Sequence, residues 1–215
     1  AIFYGIHYFF FSIIYSYVDA LGVFTREDVI IFLIITFLAD TVYMLLFSGN
    51  LFILNRMVVK GELDFYLLKP VSSQFLISLR YVKSYAIISV IILVAILIQL
   101  VSQYSTTIPI SHWIYFLFSF TMGALLWYSV DFIISCSTFW FRNFSVAGWL
   151  SHEVLKFSTR PDSIYSGFLR KTLFTFIPMA LITSVPTRFL LYGPNIHYLM
   201  LQIFITIIFL ICTRI

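Results

Sequence analysis

Asp40 and Asp131 each fall about half-way along an apolar run long enough to cross a bilayer. A charge at mid-bilayer costs from about 3 kcal/mol upward, so each must be paired, protonated or put to use. Put to use, such a carboxylate is a proton or cation site on the pathway of a gradient-driven carrier or channel. Paired, it is a buried polar group held by a hydroxyl such as that of Thr41 or Tyr43, or by a basic group on another helix. His152, Glu153 and Lys156 are spaced for i,i+3 and i,i+4 contacts on one helix. They read either as a catalytic His/Glu pair of a membrane enzyme or as a self-neutralised polar face. His7, His112 and His197 lie near the ends of apolar runs, where imidazoles sit at the membrane interface. Cys136 and Cys212 lie inside apolar runs without CxxC or Cys/His spacing, which reads as two small buried hydrophobes rather than a metal or redox site.

No GxxxxGKS/T, GxSxG, HExxH or EF-hand pattern occurs, so neither nucleotide hydrolysis nor a recognisable hydrolase is written on this chain. The expectation is a non-catalytic protein with no cofactor of its own. Any energy for transport must then come from a partner subunit or an ion gradient.

The elements that position these residues follow from composition. Of 215 residues, 61% are apolar, 20% aromatic and only 10% charged, against about 45–50% apolar and about 25% charged in soluble domains. The chain lacks the polar atoms to cover a globule. This predicts an integral membrane protein and excludes a soluble enzyme, a nucleic-acid binder and a disordered chain. Apolar runs at 2–18, 29–54, 75–101, 113–141 and 198–212 read as five helical spans. Between 144 and 191, Pro161, Pro178, Pro186 and the later Pro194 break the pattern, which predicts a fifth span, then re-entrant half-helices, then a sixth span. One membrane domain fills residues 1–215, and its apolar ends read as truncations of a longer protein.

Start signals support helices: a capping box at Thr25 to Asp28, serines 72 and 73 after Pro70, and Ser111 before the fourth span. Residues 19–28 carry one basic residue against three acidic ones, and 103–112 carry none, so both read as outside loops. The segment between the second and third spans carries Arg56, Lys60, Lys69, Arg80 and Lys83 against Glu62 and Asp64, the Lys/Arg excess of a cytoplasmic side. Arg160, Arg170, Lys171 and Arg188 run against this count.

Within that inside segment, Gly61 ends a descending helix and Pro70 bars a helix from entering the third span. This predicts a separate amphipathic helix over Glu62, Leu63, Asp64, Phe65, Tyr66, Leu67, Leu68 and Lys69, with acidic residues at its N-terminus and Lys69 at its C-terminus. Its apolar face suits anionic lipid or a protein partner equally well.

Lys60-Gly-Glu-Leu-Asp-Phe-Tyr-Leu-Leu-Lys-Pro-Val71 resembles the GxLDxxLLKP signature of bacterial type 2 ABC exporter permeases. Phe139-Trp-Phe-Arg142, Phe176-Ile-Pro178 and Val185-Pro-Thr-Arg-Phe-Leu190 resemble later parts of the same family. The resemblance implies an all-α fold of six spans with re-entrant helices containing Pro178, Pro186 and Arg188 on the outer side. It implies a dimer of permeases in the bacterial cytoplasmic membrane, paired with two separate ATPase subunits that bind ATP and Mg. It makes Glu62–Pro70 the coupling helix, which favours protein over lipid, and explains the missing nucleotide motif. The substrate it suggests is amphiphilic, lipid- or drug-like, moved outward by alternating access.

Overall fold

A computed structural model describes residues 2–18, 20–104, 106–139, 149–150, 153–154 and 156–214. The described residues are mostly helical. Helix α1 (Ile2–Ile14) leads through a small antiparallel hairpin, β1 (Ala20–Leu21) and β2 (Phe24–Thr25), into α2 (Arg26–Tyr43). A π-helical turn over Met44–Ser48 joins α2 to α3 (Gly49–Lys60). There follow α4 (Asp64–Leu67), α5 (Ser73–Ser78), α6 (Ala86–Ser102), α7 (Ile110–Cys136), α8 (Gly167–Thr175), α9 (Ala180–Tyr192) and α10 (Ile196–Cys212).

The capping box that starts α2 forms. Thr25 Oγ1 accepts from the Asp28 N–H at 3.4 Å, and Asp28 Oδ2 accepts from the Thr25 N–H at 2.8 Å. From there α2, the π turn and α3 make one rod of about 50 Å contour, longer than the about 30 Å of hydrocarbon it must cross. The rod stops at Gly61, whose φ of +71° is open to glycine at little cost. The Gly61 N–H donates to Val58 at 3.3 Å and the Glu62 N–H to Met57 at 3.0 Å, a Schellman closure that satisfies two terminal carbonyls.

The core lies where α2, α7 and α9 meet. Gly123 in α7 lets α9 come so close that a Cβ there would lie 2.6 Å from the Ile182 carbonyl oxygen. That carbonyl sits four residues before Pro186, which has no N–H to bond it. The sequence suggested a break at Pro186; instead α9 runs through it, because the freed carbonyl lies against the one backbone stretch of α7 without a side chain. Pro178 does mark a break, a 93° bend between α8 and α9. The fully buried Gln202 of α10 accepts from Ser119 Oγ at 2.6 Å and donates to the Ser119 and Leu181 carbonyls at 2.9 Å each, pinning three helices at one level.

Among the described residues, Arg26–Val58 and Ile110–Phe139 are long and apolar enough to cross a membrane, and the bent pair α8–α9 counts as a third if taken as one span. The other apolar helices, within α1, α6 and α10, are shorter. Several expected boundaries change. The first run is helical only to Ile14. The fourth span begins at Ile110, with Pro109 rather than Ser111 at its N-terminal boundary. The third run is not continuous, since residues 79–85 leave the helix between α5 and α6. Most of the expected fifth span, with Arg142, lies outside the described residues. Its tail forms a 3-10 turn, Lys156–Thr159, held to α9 by the Thr183 hydroxyl donating to the Ser158 carbonyl at 2.6 Å.

Candidate functional site

Past Gly61 the chain makes a single helical turn, α4, where the sequence suggested a helix over Glu62–Lys69. Glu62 is taken up by the Schellman closure, Leu63 turns inward and is buried, and Pro70 forces Lys69 out of helical geometry. The remaining apolar side chains point away from the protein: Phe65 is 73% exposed, Leu68 is 83% exposed, and Leu67 is exposed beside them. Glu62, Asp64, Lys69 and Pro70 surround them in solvent. Tyr66 anchors the turn. Its ring lies 5.1 Å from Lys69 Nζ and 5.2 Å from the Arg80 guanidinium, which also donates to its hydroxyl. Helix α5 is tied to α7 through the Tyr128 hydroxyl, which meets Ser78 Oγ at 2.7 Å and receives a bond from Gln74 at 3.1 Å.

The non-helical stretch after α5 is bonded sideways to the rod. Asn50 Oδ1 accepts from the Tyr81 N–H at 2.8 Å, and Asn50 Nδ2 donates to the Tyr81 carbonyl at 2.8 Å. The Lys83 N–H donates to the Leu45 carbonyl at 3.0 Å, and Lys83 Nζ to Ser48 Oγ at 3.0 Å. Buried backbone groups that leave a helix need such partners. Where the helix breaks, the π turn and Asn50 supply them.

The two intramembrane carboxylates meet tyrosine hydroxyls. Tyr4 of α1 donates to Asp40 at 2.8 Å, whereas Thr41 donates to its own helix at Phe37. Tyr43 donates to Asp131, across the interface of α2 with α7, while its ring stacks on Trp127 at 4.9 Å. Glu153 pairs with Lys156 one turn away. His152 lies outside the described residues, so the His/Glu arrangement does too. Among the described residues, no three His, Cys, Asp or Glu side chains gather to hold a metal ion.

At the other end of the rod sits a second polar assembly. Asp28, besides its capping role, accepts from the Tyr192 hydroxyl at 2.7 Å and from the Tyr104 hydroxyl. Burial and the nearby Asp28 carboxylate push the Tyr104 phenol above its ordinary pKa. Asp162, 1% exposed, takes Arg170 Nη2 at 2.8 Å on one oxygen and Arg188 Nη2 at 2.9 and 3.0 Å on both. Arg188, 9% exposed, lies 5.1 Å from the Phe24 ring and 5.7 Å from that of Tyr198. The Asp162 N–H donates to Ser184 at 3.2 Å, and Ser163 Oγ to the Leu21 carbonyl at 2.8 Å, so the hairpin, α9 and the 161–164 segment are stitched together.

Compared with known families, the whole chain, residues 1–215, matches the model described as "ABC-2 family transporter protein". The chain belongs to the ABC-2 transporter family. Neither the curated proteins nor the solved structures give a match. Membership makes this a membrane protein and a permease component of an ABC transporter, a type of subunit that works with ATP-binding cassette subunits.

In this ABC-2 permease the structure brings residues 61–70 together as one exposed knob and leaves Asp40 and Asp131 apart from it, on tyrosines. Pro178 stands in the α8–α9 bend, and Pro186 and Arg188 stand within α9. Asn50, Asp28 as a hydroxyl acceptor, and Asp162 do not stand out in the pattern of apolar runs and motifs. Asp162 had one signal: a lone acid directly after Pro161, amid four basic residues that no other acid balanced. Asn50 had none, since its partner is backbone.

Proposed function

We propose that this permease is the membrane half of an ATP-driven exporter. Glu62–Pro70 is its docking knob for an ATP-binding cassette subunit. Two such subunits, carrying ATP and Mg, drive a pair of permeases, the second being a copy of this chain or a related one. An amphiphilic, lipid- or drug-like substrate leaves the bacterial cytoplasmic membrane by alternating access, and ATP shifts the balance because it binds the closed ATPase state better. The residues 1–215 act as one multi-pass unit, with the bent α8–α9 pair and its Arg188 ion pair on the outer side. Asp40 and Asp131 serve as hydroxyl-bonded structural groups in this reading.

One observation carries it: Phe65, Leu67 and Leu68 are exposed on a turn that projects past the capped end of a spanning rod, among charged residues. A span end needs no such cluster to close itself, whereas a socket on a soluble partner does. The Lys/Arg excess of the same segment supports a cytoplasmic position for it.

The test is purification in mild detergent from native membranes, with mass spectrometry of what stays bound. The parent protein should carry a stoichiometric ATP-binding cassette subunit and hydrolyse ATP. Leu67→Glu with Leu68→Glu should insert normally and lose both. If the double variant keeps the subunit and its hydrolysis, the docking assignment is wrong.

A further inference from the structure

Along the chain, the knob and the spanning rod are joined through the Schellman turn at Gly61. A second connection runs around it. Tyr66 grips Arg80, and the backbone one and three residues later is bonded into the rod at Asn50 and Leu45. Asn50 is 2% exposed, and its amide is fully used: both ends hold Tyr81, and Nδ2 also donates to the Leu46 carbonyl at 2.8 Å. It thus bonds the π turn and the 79–85 stretch at once. The Leu45 carbonyl, within the π turn, receives the Lys83 N–H at 3.0 Å. At this point two backbones are joined by a buried side chain shaped like a peptide group.

We propose that Asn50 is the positioning residue that makes segment 79–85 and the α2–α3 rod move as one body, so that displacement of the docking knob reaches the spanning helix within its length and not only at its Gly61 end. This rests on the docking reading of residues 61–70 given above.

The test uses the complete complex with its ATPase subunits, Cys136 and Cys212 replaced by serine, and nitroxide labels on Phe52→Cys and Val82→Cys, both exposed sites flanking the junction. Pulsed electron resonance reads the distance between them without nucleotide and with ATP and vanadate. With Asn50 present, the distance distribution should be narrow and equal in the two states. With Asn50→Leu, close in volume but unable to bond Tyr81, the ATPase subunits should remain bound and active. ATP and vanadate should then move the distance by more than the about 1–2 Å of ordinary helix shifts. A loss of packing alone would broaden both states alike and leave no nucleotide-dependent shift. Should Asn50→Leu fail to fold, Asn50→Asp, which keeps the acceptor for the Tyr81 N–H and loses the donor, should give the same nucleotide-dependent shift. A distance that already changes with nucleotide in the parent, or one that stays fixed in the folded variant, overturns the inference. Failure of the docking reading looks different, because Leu67→Glu would then keep its ATPase subunit whatever the Asn50 variants do.

Discussion

The two ends of the α2–α3 rod are built on opposite principles. Around Asp28 and Asp162, charged groups are buried, cross-linked to several elements and satisfied by arginines and tyrosine hydroxyls. Around α4, apolar groups are exposed, and the element is held mainly by one tyrosine between two cations. An end that buries its charges is made to stay put, since each group left without its partner is costly. An end that exposes Phe65 and Leu68 leaves apolar area to be covered by something else. The contrast separates an end that closes on itself from an end that leaves apolar surface open.

That contrast can be broken most sharply at Asp162. Asp162→Ala leaves Arg188 buried without a carboxylate, and thermal unfolding in detergent should show a loss of about 3–5 kcal/mol. Adding Arg188→Leu should recover part of it. A loss no larger than the about 1 kcal/mol of an exposed pair would put the triad among surface contacts and erase the difference between the ends. Next comes Tyr192→Phe, which removes one partly exposed hydroxyl from Asp28 and should cost about 1 kcal/mol by the same assay.

Tyr104 makes the Asp28 end sensitive to pH. Its phenol pKa is raised in the folded protein, so its stabilisation is complete below the ordinary phenol value and is lost as pH climbs through the raised one. The parent should therefore lose stability above about pH 10, and Tyr104→Phe should lose it less steeply. An unchanged slope would detach Tyr104 from the Asp28 assembly. The smallest effect belongs to the other end: Leu68→Glu, on an 83% exposed side chain, should shift stability by no more than about 0.5 kcal/mol. Its consequence should be confined to retention of the ATPase subunit. A large stability loss there would mean that the knob is part of the core.

Much of this was legible in the residues. The capping box at Thr25, the stop at Gly61, the break at Pro178 and the side-chain cap of α5 by Ser72 are local devices whose hydrogen bonds close within a few residues, so local spacing reveals them. The knob could be located the same way, though not its length, because the inward turn of Leu63 depends on a core that the segment itself does not contain. Pro186 misled for the matching reason: whether a proline breaks a helix depends on what lies against the carbonyl it frees, and here that is Gly123, 63 residues earlier.

Composition and spacing alone were enough to read a helical membrane protein, the start and stop of its spanning rod, and a resemblance to the family that the whole chain matches. Composition and short-range hydrogen bonding decide those matters. The packing of distant helices set the rest: Asp40 takes Tyr4, Asp131 takes Tyr43, Asp162 pairs with Arg188, and Asn50 bonds Tyr81 where the third run is interrupted. In lipid every polar group must find a partner inside the protein, but which partner it finds is set by the packing of distant helices.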